Sequence, residues 1–119
     1  MSATPPGYAM AYLENVDTGP EIIEYIDRIE ATFEPYGGQW LVHSTPHVTH
    51  EGSLPGHVVI IAFPSVAAAR DWFASEPYQE IAPLRADHSD SILITIEGVP
   101  DGYRGAHTTA KLRDQLKAG

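Results

Sequence analysis

The chain has 119 residues, of which 43% are hydrophobic, and a formal net charge of −9. This is the size of one small globular domain, and the negative charge disfavours nucleic-acid binding, because phosphate contacts need clustered Lys and Arg. No apolar run approaches the roughly 20 residues of a membrane span. There are no cysteines, hence no disulfides, thiolate metal ligands or cysteine nucleophile. The N-terminus lacks a secretory signal pattern, so the cytoplasm is the expected location.

The first predicted elements are a flexible leader over residues 1–7 and a strand over residues 8–13, where large and small side chains alternate. Thr18 and Glu21 resemble a capping box that begins an amphipathic helix. Pro35 and the glycines that follow end this helix. Its apolar face is formed by Ile22, Ile26, Ile29 and Phe33.

A second strand is predicted over residues 39–45 and ends at Pro46. A third, over residues 57–63, is an almost continuous apolar run, which is typical of a strand buried on both faces. Ser65 is the predicted N-cap of a second helix. The inner face of that helix is Val66, Ala69, Trp72 and Phe73. A short helix over residues 75–84 and a strand over residues 91–97, with Ile92, Ile94 and Ile96 on one face, complete the series.

The order β-α-β-β-α-β predicts an α+β, ferredoxin-like fold, in which a four-stranded antiparallel sheet carries both helices on one face. The other face is also apolar, because Leu13, Leu41, Leu93 and the third strand supply more apolar surface than solvent normally faces. A homodimer in which two sheets close on each other is the simplest way to cover it.

Seven short motifs follow one another in register between residues 8 and 98. They are residues 36–42 (YGGQWLV), 51–52 (EG), 59–65 (VIIAFPS), 69–75 (ARDWFAS), 77–79 (PYQ), 84–85 (LR) and 97–98 (EG). Together they resemble a bacterial family of unknown function within the dimeric α+β barrel superfamily, which also includes antibiotic-biosynthesis monooxygenases, EthD-like proteins and muconolactone isomerase. The resemblance implies a homodimeric barrel domain and a ligand cavity between sheet and helices. It implies no particular activity.

The chain departs from that family pattern in two places. Members commonly carry arginine where this chain has His43 and His57, so anion binding at those positions would be exchanged for proton transfer. The C-terminal tail, residues 99–119, is longer than the family core needs, and a helix is one expectation for it. Residues 98–119 hold four basic and two acidic residues, whereas the rest of the chain holds three basic and fourteen acidic ones. The tail is therefore expected either to be disordered or to lie on its own domain or on a partner.

His43 and His57 are the first catalytic candidates, since both lie on predicted strands that can fix an imidazole in a cavity. Histidine titrates near neutrality and takes or gives a proton with little driving force. Glu51 is a candidate to orient or charge one of them. Its alternative role is to cap the turn before Gly52 and pair with Arg85.

A second set of candidates would bind the substrate. Arg85 could hold a carboxylate or enolate bidentately, or instead be a structural partner of Asp87 or Glu51. The predicted substrate-binding residues are all aromatic, and the two tryptophans could equally be core residues. They are Tyr12, Trp40, Trp72 and Tyr78.

The stretch HSTPHVTHEG at residues 43–52 raises the question of a metal. In an extended strand His43 and His47 would be roughly 13 Å apart, too far to share a zinc ion. The sequence also lacks a nucleophile elbow, a phosphate loop and a dinucleotide fingerprint.

The sequence therefore predicts a small cofactor-independent enzyme doing acid–base chemistry of the isomerase, cyclase or oxygenase type on an aromatic or polyketide-like metabolite. His43 or His57 would be the base, and Arg85 or a tyrosine would stabilise the developing oxyanion. The alternatives are a non-catalytic small-molecule binder or structural homodimer, and a metal-binding protein using His43, His47, His50 and Glu51.

Overall fold

The computed structural model describes residues 4–118, so part of the predicted leader, residues 1–3, lies outside the described residues. The strands and helices in chain order are β1 Gly7–Glu14, α1 Pro20–Phe33, β2 Gln39–His43, β3 His57–Phe63, α2 Val66–Ala74, α3 Glu76–Ala86, β4 Asp90–Glu97 and α4 Gly105–Ala118. The sheet order is β2-β3-β1-β4 with antiparallel pairing throughout, which confirms the ferredoxin-like prediction. None of the helices described here has the length and apolar character to cross a membrane.

The N-terminal ends of the helices agree with the sequence at α2 but not at α1. Ser65 caps α2 as predicted, and its hydroxyl accepts a hydrogen bond from the Ala68 amide at 3.1 Å. The capping box at Thr18 is wrong: Gly19 is the N-cap of α1 and makes no side-chain cap bond. Pro20 occupies the first turn, where its fixed φ and missing amide suit a helix start, and this moves the cap one residue on from Thr18.

The core lies between the sheet and the helices α1, α2 and α3. Its largest fully buried side chains are Trp72, Tyr78, Phe33 and Ile81. Phe73, predicted on the inner face of α2, is 39% exposed. Residues 72 and 73 are neighbours on a helix of 3.6 residues per turn, so only one of them can point directly at the sheet.

The opposite face of the sheet is apolar and open to solvent in the single chain. Ile92, Ile94 and Ile96 project from it and are 62%, 39% and 51% exposed. Leu13 and Leu93 were predicted on this face, but both line the space beneath the helices. The alternation of side chains along a strand explains the error, since Leu93 must point away from its isoleucine neighbours.

The segment after Gly98 ends in α4, and the described side chains of this helix are exposed. Leu112 and Leu116 lie one turn apart on it and are 51% and 81% exposed. The helix α4 contributes no buried residue, and every residue that lines the cavity between the sheet and the helices precedes Gly98.

Candidate functional site

A cavity of about 200 Å³ lies between the sheet and α1. Small side chains on the central strand, Ala9 and Ala11, leave room for it beneath the helix. Most of its wall is apolar, formed by residues that include Leu13, Ile22, Ile29 and Ile61. An enclosed apolar space with a few polar groups is the usual form of a small-molecule site.

His43 and His57 both line this cavity. His43 pairs with Val59 in the register of β2 and β3, and His57 lies two residues before Val59 on the same face. The two histidines are therefore diagonal neighbours, with a typical separation of about 7–8 Å. Two imidazoles at this separation can contact opposite ends of one small ligand group.

A bulge in β2 decides which way His43 points. The register shifts between Trp40 and Val42, so Leu41 is the extra residue. Residues three apart on a regular strand point to opposite faces, but one bulged residue restores them to the same face. Trp40 and His43 consequently both line the cavity and stack with ring centroids 4.1 Å apart and planes 12° apart.

Two further contacts fix Trp40 itself. Its indole nitrogen donates a hydrogen bond to the Glu30 carboxylate of α1 at 2.7 Å. Phe33, which is 1% exposed, meets the indole edge-on at 5.1 Å between ring centroids. Because Trp40 is held on two sides, it provides a rigid surface for the otherwise exposed His43 ring.

His57 is fixed by the start of β3. The preceding residue, Gly56, donates its amide to the Tyr12 hydroxyl at 2.7 Å. A Cβ at position 56 would clash with the Leu13 carbonyl oxygen, so only glycine allows this close approach of the two strands. Tyr12 thus supports the strand that carries His57, from the opposite face of the sheet.

Arg85, near the end of α3, brings the positive charge to the cavity. It is 8% exposed, lines the cavity, and donates from Nη1 to the hydroxyl of Ser91 on β4. Its Nε is buried and has no hydrogen-bond partner within the described chain. The predicted alternatives, pairing with Asp87 or Glu51, are not found among residues 4–118.

Two tyrosines lie behind Arg85. The guanidinium carbon of Arg85 is 5.8 Å from the centre of the Tyr25 ring, and Tyr25 shares a 2.9 Å hydrogen bond with the buried Tyr78 hydroxyl. Burial, and secondarily the neighbouring Tyr78, raises the pKa of the Tyr25 phenol above its ordinary value. Tyr25 is therefore a neutral group at physiological pH and not a base.

The structure brings together five of the eight predicted site residues in one cavity: His43, His57, Arg85, Trp40 and Trp72. Tyr78 lies directly behind it, in contact with Trp72. Two others lie elsewhere. Tyr12 points to the open face and bonds Glu14, and Glu51 is exposed in the loop between β2 and β3.

That loop also carries His47 and His50, which with Glu51 line a separate, shallow depression. All three are exposed, and the His47 ring contacts the Leu54 carbonyl at 2.7 Å. Across residues 4–118 there is no cluster of three or more His, Asp or Glu side chains able to hold a metal ion.

Three residues of the site were not singled out from the sequence: Tyr25, Glu30 and Ser91. Tyr25 was accessible to that reasoning, because it falls three residues after Ile22 and four before Ile29 on the apolar face of α1. Glu30 and Ser91 carry no such signal, since their roles depend on contacts between distant parts of the chain.

Comparison with solved structures shows the same fold in proteins of different function. RPA0582, a protein of unknown function from Rhodopseudomonas palustris, aligns with a TM-score of 0.59 at 20% identity, over 82% of this chain and 85% of its own. SnoaB, a cofactor-independent oxygenase from Streptomyces nogalater, aligns at 0.55 and 17%, over 78% and 92%. A hydroxynitrile lyase from Passiflora edulis aligns at 0.51 and 16%, over 84% and 98%.

At these identities the structural similarities establish the fold alone. No curated protein matches the sequence. The family described as "Domain of unknown function (DUF1330)" matches residues 6–99, which is most of the chain and includes every element of the cavity. The protein is therefore a member of the DUF1330 family.

Proposed function

We propose that the cavity is the active site of a cofactor-independent enzyme that transfers protons on a small, apolar, aromatic or polyketide-like metabolite. The observation that carries this proposal is the presence of two imidazoles and one guanidinium in a single apolar cavity. His43 and His57 are the proton-transfer groups, and Arg85 supplies positive charge to the same space.

The chemistry follows from the ordinary properties of these groups. A neutral imidazole accepts a proton from an acidic C–H or O–H of the substrate, so that this bond breaks and an N–H bond forms. The electron pair delocalises onto a substrate oxygen, where the protonated imidazole stabilises it. Return of the proton to a different atom completes an isomerisation. In a cyclisation the deprotonated carbon instead attacks a carbonyl carbon of the same substrate, the C=O electron pair moves to that oxygen, and the second histidine protonates it.

The apolar wall takes the hydrophobic part of the substrate out of water. His43 and His57 are exposed in the free chain, so the bound substrate itself must cover them for the attraction between its oxyanion and a protonated imidazole to exceed that in bulk water. The stacking of His43 on Trp40 holds one ring in place before substrate arrives, which reduces the entropy lost in reaching the reactive geometry.

The comparisons are consistent with this assignment without specifying it. One structural neighbour is described as a cofactor-independent oxygenase and another as a hydroxynitrile lyase. Both descriptions name enzymes, and both proteins share this chain's fold.

The working unit in this proposal is a homodimer formed through the open face of the sheet. Three rows of side chains cross that face, centred on Tyr8, Met10 and Tyr12 of β1. The row at Met10 joins Ile60 to Ile94, so the middle of the face is apolar. A second copy of the same surface would bury it in an isologous interface.

The test is proton exchange at carbon. The protein is incubated in D2O with a panel of small aromatic ketones and phenols, and loss of the exchangeable C–H signals is followed by NMR. We expect faster exchange of at least one compound, and a roughly 10²–10⁴-fold loss for His43→Gln or His57→Gln. His107→Gln, on exposed α4, is the matched control and retains full exchange.

Equal exchange in the wild type and both cavity variants would contradict the proposal. A compound that binds the cavity but shows no acceleration would instead favour the non-catalytic binder. Melting temperatures of the variants separate loss of chemistry from loss of the fold.

A further inference from the structure

Arg85 is an unusual residue in this acidic protein. Its side chain is more than nine-tenths buried and faces the cavity, while its hydrogen bond within the described chain goes to a neutral hydroxyl, that of Ser91. The acidic side chains of residues 4–118 that form ion pairs do so with Arg28 or approach His88, not Arg85. The chain has sixteen acidic residues, so this lack of a carboxylate partner is not caused by scarcity.

The buried guanidinium of Arg85 cannot become neutral by losing its proton, because arginine stays charged in proteins. Burying such a charge is costly unless it is paired and hydrogen-bonded. The cost is reduced by the Ser91 hydroxyl and by the face of the Tyr25 ring. Burial lowers the pKa of Arg85, but the neighbouring Tyr78 and Tyr25 outweigh this effect and raise it. None of these partners is a carboxylate. An anion entering the cavity would neutralise the charge and remove most of the remaining cost.

From this we infer that the ligand of the cavity is a small aromatic monocarboxylate, bound through its carboxylate by Arg85. This inference rests on the proposed function and names its substrate class. A monoanion is favoured over a phosphate, since Arg85 is the one Lys or Arg side chain that lines the cavity within the described residues. A doubly charged group would leave one buried negative charge unpaired.

The size and walls of the cavity limit the rest of the ligand. A volume of about 200 Å³ corresponds to about seven water molecules at their share of the liquid. This space suits a molecule of one or two rings. The flat side chains of Tyr25, Trp40 and Trp72 line it, and aromatic rings pack well against such surfaces.

The register of the sheet places the carboxylate away from the reacting atom. Ser91, which anchors Arg85, pairs with Leu13 on β1, and Leu13 pairs with His57 on β3. Two strand spacings of about 4.8 Å put Ser91 and His57 roughly 10 Å apart. A ligand held by Arg85 at one end therefore presents its opposite end to the two histidines.

The experiment compares two probes of nearly equal shape, 2-naphthoate and 2-naphthamide, by isothermal titration calorimetry at pH 7. We expect the carboxylate to bind the wild-type protein about 10- to 100-fold more tightly than the amide, which is the effect of hydrogen bonds to a charged group. Arg85→Gln should remove this preference. The matched control is Arg28→Gln, which replaces an exposed arginine that is paired with Glu24 and Glu80 and should retain the preference.

Each outcome has one meaning. Equal affinity for the two probes in the wild type, or failure of both to bind, overturns the inference without any use of the variant. A carboxylate preference that survives Arg85→Gln overturns it as well. Carboxylate binding without proton exchange supports the inference about the ligand and contradicts the proposed function. Proton exchange of neutral compounds without a carboxylate preference supports the proposed function and contradicts the inference about the ligand.

Discussion

The two faces of the sheet are built by the same strands but differ in how they are filled and covered. On β1, Ala9 and Ala11 line the cavity beneath the helices. Met10 and Tyr12 instead pair with exposed isoleucines of β4 on the open face. One face is thus closed by the chain's own helices but left hollow, and the other is filled by large side chains but left open. The proposed function and the proposed assembly therefore depend on alternate residues of one strand.

The largest loss of stability is expected from a substitution on the face of the sheet that the helices cover. Trp72→Ala removes a side chain that is 0% exposed and donates its indole N–H to Thr32 at 2.9 Å. It should lower the free energy of unfolding by about 3–5 kcal/mol, because it leaves a large void and removes the hydrogen bond that the Thr32 hydroxyl accepts, while that hydroxyl still donates to the Ile29 carbonyl. Chemical denaturation measures this. Phe73→Ala, next along α2 but 39% exposed, should cost clearly less, and equal costs would contradict the assignment of faces.

The next effect concerns the open face. Ile94→Glu places a charge in the row that joins Met10 and Ile60. We expect it to weaken the proposed homodimer by at least about 2 kcal/mol, or roughly 30-fold in dissociation constant, as measured by sedimentation. Ile23→Glu changes an isoleucine that is similarly exposed, but lies on α1, and should leave the dimer intact. A wild-type protein that is monomeric at micromolar concentration would contradict the proposal that the open face forms a homodimer interface.

A smaller effect should appear at alkaline pH, from the buried Tyr25 behind the cavity. Burial raises the pKa of Tyr25 above its ordinary value of 10.0, so the folded state holds this proton more tightly than the unfolded state does. The stabilising contribution is present below pH 10.0 and is lost as pH rises beyond it, with a slope of up to about 1.4 kcal/mol per pH unit. Tyr25→Phe should flatten the stability profile in that range, as measured by chemical denaturation at a series of alkaline pH values, and an unchanged slope would contradict this role of Tyr25.

The smallest effect is expected at the N-terminal ends of the helices that cover the cavity. Ser65→Ala removes the cap of α2 and should cost about 1 kcal/mol of stability by thermal or chemical unfolding. Thr18→Ala should cost almost nothing, because Gly19 caps α1 and makes no side-chain bond. A larger loss at Thr18 than at Ser65 would restore the capping box that the structure rejects.

Much of the fold was predictable because it depends on local pattern. The apolar alternation of residues 91–97 and the run at residues 57–63 located β4 and β3 to within a residue. The face assigned to Leu13 and Leu93 was wrong, although the alternation of Leu93 with its isoleucine neighbours was visible in the sequence. Hydrophobicity alone does not distinguish the two faces of the sheet, whereas the alternation of side chains along the strand does.

The candidate site was less predictable because it depends on distant contacts. The bulge at Leu41 turns His43 into the cavity, and no residue of β2 signals it. Arg85 was recognised as a candidate, but its lack of a carboxylate partner emerges only when α3 and β4 are packed together. Charge and residue type can nominate such a group, whereas its surroundings decide what it can bind.

The most direct test of the account compares the imidazoles of the cavity histidines with those of the loop and of α4 by ¹⁵N NMR during titration with 2-naphthoate. If the cavity is the ligand site, the signals of His43 and His57 shift together along one saturating curve, while His47, His50 and His107 remain unchanged. Movement of the loop histidines alone, or of no histidine at saturating ligand, would contradict the claim that this cavity binds the substrate.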